Sequence, residues 1–257
     1  KPHYLCIMEH WYYYPILIIV GFVVGFINTV AGGGSLLSLP VLIFMGLPPT
    51  LANGTNRVAI VIQTALATAG FKSKGVSTFP FNTYLGIAAF FGSLLGAKIA
   101  VDIDEAIFNK VLATIMAAVI LIIIFKPKTN LTNLQERLTG KYLWLGIIVF
   151  FFLGIYGGFI NAGIGFLIIL YLHYTHYMSL VRVNATKVFV VFIYTLGALA
   201  VFIFNDKVDF KIGLILAIGN ATGAWVSSRL SVKKGDGFIR TFLIVMVSIM
   251  AFKLWFF

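Results

Sequence analysis

Four short polar stretches interrupt an otherwise apolar chain, and they hold the residues with which chemistry is possible. Asn28 precedes Gly32-Gly33-Gly34-Ser35 in GFINTVAGGGSLLSLP, which runs from Gly25 to Pro40. Asn53-Gly54-Thr55-Asn56-Arg57 follows it. Asn161 and Gly165 stand in GFINAGIG, from Gly158 to Gly165, and Asn184-Ala185-Thr186-Lys187 is the fourth stretch. Amides, hydroxyls, two cations and glycine-rich backbone are present in these stretches, and carboxylates are not. Glu9, Asp102, Asp104, Glu105, Glu136, Asp206, Asp209 and Asp236 are all the acids in the chain, and all fall at ends or in predicted loops. A cation carrier wants acids or open carbonyls at its site, and a carboxylate proton relay wants acids. Basic groups and helix N-termini without acids suit a bound anion.

Helix breaks supply the second half of that chemistry. Ala31-Gly32-Gly33-Gly34-Ser35 is a poor helix interior, because each glycine is disfavoured there by about 1 kcal/mol. A helix restarting near Ser35, a good N-cap type, leaves its first N–H groups without intrahelical partners and partly positive. Such an end binds anions without any charged side chain. A second helix start is predicted at Thr50–Thr55, after Pro48-Pro49, and the equivalents later in the chain are Asn161–Gly165 and Ser179–Thr186. Arg57 and Lys187 sit about one turn into their helices. An intramembrane cation defaults to a functional reading, with snorkelling to the interface as the alternative. Arg182 reads as a loop residue. The pairs Gly21/Gly25, Gly92/Gly96, Gly154/Gly158 and Gly219/Gly223 have the spacing that lets helices pack closely.

The elements that must position these residues are membrane helices. The 257 residues are 60% hydrophobic and only 11% charged, with mean hydropathy +1.01. Predicted spans are Ile16–Val30, Val58–Phe71, Phe81–Ile99, Val111–Phe125, Leu143–Ile160, Val188–Phe204, Ile212–Val226 and Phe238–Phe257. Leu36–Met45 and Phe166–Leu172 are too short to cross alone. The net charge of +11 is read as loop Lys and Arg that orient the spans, not as a nucleic-acid surface. Cys6 has no partner for an internal disulfide, and no cleavable leader is evident before the aromatic stretch at Trp11–Tyr14. His173 and His176, among Tyr171, Tyr174 and Tyr177, read as an aromatic interfacial loop; a metal site there lacks a third ligand.

The order of motifs repeats. Gly25-Phe-Ile-Asn28 returns as Gly158-Phe-Ile-Asn161, Asn53-Gly-Thr55 as Asn184-Ala-Thr186, and Gly92-xxx-Gly96-Ala97 as Gly219-xxx-Gly223-Ala224. The predicted architecture is all-α and integral to the membrane. It has two structural repeats, residues 15–126 and 143–257, behind an interfacial segment at 1–14 and joined by a cytoplasmic linker at 127–142. Each repeat is a broken pair of short helices followed by three transmembrane helices. Lys72–Pro80 is basic in the first copy, whereas the basic cluster of the second copy is Arg229–Arg240 at the other end of the unit. The positive-inside rule then predicts inverted copies with both termini outside; a parallel arrangement is the rival.

Gly25-Phe-Ile-Asn28-Thr-Val-Ala31-Gly-Gly-Gly34-Ser35, followed by Pro40 and Ala52-Asn53-Gly54-Thr55-Asn56, resembles the signature of the sulfite exporter TauE/SafE family of anion permeases. Gly158–Gly165 is similar to its weaker second motif, although Phe166 stands where the first copy has Gly33. The resemblance covers nearly the whole chain. It implies a multi-pass cell-membrane transporter for a small anion such as sulfite or sulfoacetate. The residues expected to bind it are Asn28, Gly32, Gly33, Gly34, Ser35, Asn53, Thr55, Asn56, Arg57, Asn161, Gly165, Asn184, Thr186 and Lys187. No cofactor or metal is called for, a homo-oligomer is possible, and the bilayer is the expected surrounding. An anion channel, a membrane enzyme and an assembly subunit are the alternatives; no acid–His or Cys–His set supports the enzyme.

Overall fold

The computed structural model describes residues 13–104, 106–108, 110, 111, 114 and 135–256. Among them the regular structure is helical. The helices are α1 (Tyr13–Val30), α2 (Ser35–Phe44), α3 (Pro49–Lys72), α4 (Phe81–Asp102), α5 (Lys141–Phe159), α6 (Ile164–Thr175), α7 (Leu180–Phe204) and α8 (Phe210–Phe256). Gly235, at φ 70° and ψ −168°, kinks α8, so the two spans expected at Ile212–Val226 and Phe238–Phe257 lie on either side of that kink. The span expected at Val111–Phe125 falls almost wholly outside the described residues. Five helices are long and apolar enough to cross a bilayer: α1, α4, α5, α7 and α8 as far as Leu243. The third helix is longer than its apolar run, because Pro49 at its first turn starts it in the polar Asn53–Arg57 segment.

The distribution of side chains is inverted relative to a water-soluble domain. Phe44 and Phe204 are 87% and 86% exposed, while Arg57 is fully buried. On α4 the exposed residues Ile87, Phe91, Leu95 and Ile99 repeat every four positions, which is one helical face turned outward. An apolar exterior around buried amides, hydroxyls and two cations fits hydrocarbon as the outer solvent. This is a multi-pass membrane protein.

Four Gly-xxx-Gly pairs set the tightest helix contacts. Gly21 and Gly25 lie against Leu216 and Asn220, and Gly219 and Gly223 lie against Ile18 and Phe22, so α1 runs alongside and parallel to the first part of α8. Gly92 and Gly96 meet Phe151 and Ile155, and Gly154 and Gly158 meet Ala89 and Ser93, which pairs α4 with α5, also in parallel. Small residues let these backbones touch, as expected where lipid offers no hydrophobic drive to associate.

Other contacts give the remaining directions. Gly70 lies on Ser228 and Gly213 on Val58, so α3 parallels α8. Thr78 bonds Thr186 and Gly86 meets Ile193, so α4 parallels α7. Gly54 meets Phe202 while Phe71 clusters with Val188, so α3 and α7 are antiparallel. Thus α1, α3 and the first part of α8 run one way, and α4, α5 and α7 the other. The two short helices do not cross. Leu42, Met45 and Leu47 return to Leu17 near the start of α1, and His176, after α6, returns to Gly146 near the start of α5.

Candidate functional site

The two interrupted helix pairs meet at their breaks. In the first, α1 stops at Val30 and α2 restarts at Ser35, with Gly32 at φ +85°. In the second, α5 stops at Phe159 and α6 restarts at Ile164, with Gly163 at φ +74°. Positive φ turns the chain sharply and glycine adopts it without a steric penalty. The breaks cross in backbone contact: a Cβ on Gly32 would lie 2.4 Å from the Gly165 backbone, and one on Gly165 would lie 2.3 Å from Gly32. Only two residues without side chains can pass so closely. Gly33 faces the Phe166 ring, and Gly34 packs on Val24 and Asn28.

Ser35 was expected to cap α2. Instead Gly34 is the N-cap, with no side-chain capping bond, and Ser35 Oγ accepts from Asn161 Nδ2 at 3.2 Å. The hydroxyl is drawn off because the facing break offers an otherwise unbonded amide hydrogen. Helix α7 starts at Leu180 behind Ser179, within the expected range, and α3 at Pro49, one residue before it, but Arg57 and Lys187 sit about two turns into these helices rather than one. Helix interiors, not helix starts, bring the Asn53–Arg57 and Asn184–Lys187 segments to the breaks.

There both cations cover the exposed carbonyl end of a broken helix. Arg57 donates to Gly157 O at 3.0 Å, to Gly158 O and to Asn53 Oδ1, and lies 4.7 Å from the centre of the Phe202 ring. Asn53 Nδ2 donates to Phe159 O at 2.8 Å. Lys187 Nζ donates to Asn28 O at 3.1 Å, Thr29 O at 2.8 Å and Asn184 Oδ1 at 2.7 Å. Asn184 Nδ2 donates to Val30 O at 2.9 Å. The last carbonyls of a helix are unpaired and partly negative, so a cation there satisfies them and opposes the dipole. In hydrocarbon, where water cannot serve them, that service is obligatory.

A cavity of about 10 Å³, room for about one water, lies at the crossing. Asn28, Gln63, Thr64, Asn161, Gly165 and Lys187 form its polar side, and Ile164, Val188 and Val191 its apolar side. Asn28 and Asn220 both donate to Gln63 Oε1, at 3.3 and 3.1 Å. Tyr194 donates its hydroxyl hydrogen to Asn161 Oδ1. Of the sequence-predicted residues, Asn28, Asn161, Gly165 and Lys187 line the cavity. Gly32–Ser35, Asn53, Arg57 and Asn184 build the breaks around it. Thr55 and Thr186 point elsewhere: Thr55 Oγ1 accepts from Asp209 N at 2.9 Å, and Thr186 bonds Thr78 and Arg182 O. Asn56 is buried with neither amide atom bonded. Gln63, Thr64, Tyr194 and Asn220 were missed. The signal was available, since Gln63 and Asn220 are lone amides inside apolar runs.

Comparison with known proteins places the chain in a family. The model of the family described as sulfite exporter TauE/SafE matches residues 17–254. A "Probable membrane transporter protein" of Haemophilus influenzae is 32% identical, with 93% of each chain covered. The "Probable membrane transporter protein YfcA" of Escherichia coli K12 is 28% identical over 93% of this chain and 88% of its own. "Probable membrane transporter protein ORF9" of a Sinorhizobium species is 26% identical over 93% and 90%. No solved structure matches. A helical multi-pass chain with two crossed breaks, matched by this model along nearly all its length, belongs to the sulfite exporter TauE/SafE family of membrane transporters.

Proposed function

We propose that the protein is a permease that moves a small anion, a sulfur oxyanion or organosulfonate such as sulfite or sulfoacetate, through the crossing of the two breaks. One observation carries the reading: the cavity at that crossing is lined by amides and one buried cation, and no carboxylate is among its lining residues. The start of α6 also faces it, with the partial positive charge of a helix N-terminus. The cavity holds about one water, so passage of an oxyanion requires its walls to part.

How they part follows from a proposed symmetry. Residues 15–126 and 143–257 act as inverted copies that rock against each other around the crossing. In support, α1, α3 and α4 run opposite to their counterparts α5, α7 and α8, as the contact order gives them. Lys72, Arg137, Lys141, Arg182, Arg229 and Lys233 then share one face. By the positive-inside rule that face, with the described linker residues 135–142, is cytoplasmic. A channel differs only in opening both faces at once. An enzyme needs a reactive set at this depth, and the lining residues include no nucleophile–base pair.

Purified protein in sealed liposomes should take up labelled sulfite saturably, and unlabelled substrate inside should accelerate the uptake. No uptake above protein-free liposomes would overturn the permease reading. Saturable uptake without acceleration by internal substrate would favour the channel. With Cys6→Ser as background, Lys72→Cys and Lys233→Cys should both resist an impermeant thiol reagent added outside intact cells. Labelling of either overturns the inverted topology.

A further inference from the structure

Gln63 lies on α3, between the two breaks, and is 1% exposed. Its carbonyl oxygen accepts from both Asn28 and Asn220. Two donors on one side fix the plane of the amide, and its NH₂ is left with no partner although it is buried and Gln63 lines the cavity. A buried donor without an acceptor is costly, on the order of 1–3 kcal/mol, and among the described residues Gln63 Nε2 is the one such side-chain atom on a residue that lines the cavity. Asn28 and Asn220 hold that donor ready for an acceptor in the cavity.

Lys187 supplies the charge. Its three bonded acceptors are two backbone carbonyls and an amide oxygen. All are neutral, so they solvate the ammonium without cancelling its charge. Three acceptors within 3.1 Å are what the three hydrogens of the ammonium form would serve. Arg57 does not line the cavity, and its guanidinium is turned to the end of α5. With Lys187 in that form the cavity carries one positive charge, and its lining residues carry no negative one. In a poorly screened interior an occupant with one negative charge balances that site, whereas a second negative charge has nothing to oppose it.

We infer that Gln63 is a ligand-binding residue and that the cavity, once its walls part, takes a monovalent oxyanion, held between the Gln63 amide NH₂ and the charge of Lys187. This rests on the permease reading for its physiological meaning, but not for its test. It divides the proposed substrates: hydrogensulfite and singly charged sulfonates fit, and doubly charged ions such as sulfoacetate or sulfate fit poorly.

Binding is read first without transport, as the shift of the thermal unfolding midpoint of purified protein. Sulfamate and sulfate are the probes, being nearly the same shape with one and two charges. Sulfamate should act at concentrations about tenfold or more below sulfate, the least that loss of charge balance should cost. Gln63→Leu should weaken sulfamate by about tenfold, the worth of a hydrogen bond to a charged partner. If that variant folds poorly because Asn28 and Asn220 lose their acceptor, Gln63→Leu with Asn220→Leu removes one stranded donor and replaces it in the test. Gln63→Glu places a carboxylate beside Lys187 and should abolish the response to both anions. Sulfate equal to sulfamate, no response to either, or a folded Gln63→Leu protein that binds like wild type would overturn the inference. Saturable sulfite uptake indifferent to Gln63→Leu would sink this site and leave the permease standing. Anion-dependent shifts without any uptake would do the reverse.

Discussion

At the first break the covering cation is a lysine, and at the second it is an arginine. The first break spends three glycines and leaves Lys187 at the edge of the cavity. The second spends one left-handed glycine, Gly163, and buries Arg57 against the end of α5, away from the cavity. Aligned on Asn53-Gly-Thr55 and Asn184-Ala-Thr186, the cations are not at the same position, since Lys187 matches Asn56. One is four residues after its asparagine and the other three, and both spacings keep cation and amide on one helix face. A planar fork suits two adjacent carbonyls and stays charged, whereas an ammonium is a point charge that a small ligand can share. The difference separates two jobs that look alike in sequence: Arg57 holds a broken helix, and Lys187 holds one while presenting charge to the cavity.

The sharpest way to break that division is to remove each cation. Arg57→Met strands the carbonyls of Gly157 and Gly158 in a dry interior, and should cost about 2–4 kcal/mol, the penalty of two buried acceptors left without donors. The readout is the yield and unfolding midpoint of detergent-purified protein. Lys187→Met also strands two carbonyls, but methionine reproduces most of the lysine stem and leaves less empty space than it does in place of arginine. It should keep more folded protein than Arg57→Met and lose anion binding. Equal folding loss in the two variants, or anion binding retained in folded Lys187→Met protein, would erase the distinction.

The next comparison is within the first break. Gly32→Ala must hold φ near +85° and would put a methyl 2.4 Å from the Gly165 backbone. Backbone cannot step aside, so a loss of more than about 2 kcal/mol is expected, from strain and overpacking together. Gly33→Ala meets the edge of the Phe166 ring at 2.3 Å, and a ring can be trimmed. Phe166→Leu should therefore rescue Gly33→Ala with a coupling of about 1–2 kcal/mol, and should not rescue Gly32→Ala. The same cycle tests why Phe166 stands at the position aligned with Gly33: side chain in one copy fills the space that its absence leaves in the other.

How much of this was legible in sequence depends on which force set each feature. Interruption at Gly32–Gly34 and Asn161–Gly165 could be read, because glycines grouped beside an amide in an apolar run have few other uses. The helix-packing role of Gly21, Gly25, Gly92 and Gly96 could be read from spacing alone. The function of Arg57 and Lys187 as carbonyl caps could not, since their partners lie 100 to 159 positions away. Nor could the redirection of Ser35, whose hydroxyl is claimed by Asn161 across the crossing. Gln63 carries no charge to mark it, although a lone amide in hydrocarbon also requires a partner.

The smallest expected effects concern the link between the breaks. Tyr194 bonds Asn161, and Asn161 bonds Ser35, so α7, the second break and the start of α2 are joined in series. Tyr194→Phe leaves the Asn161 carbonyl oxygen without its donor in a buried site, and should cost about 1–2 kcal/mol with a KM for sulfite a few times higher. Ser35→Ala frees only the far end of the chain, because Asn161 is still oriented by Tyr194. Its cost should be about 0.5–1 kcal/mol, with little change in KM. If the order is reversed, with Ser35→Ala the more damaging, then the hydroxyl at the start of α2 contacts the anion directly. The first break would in that case supply ligand groups as well as charge, and the asymmetry between the two breaks would be larger than their backbones alone imply.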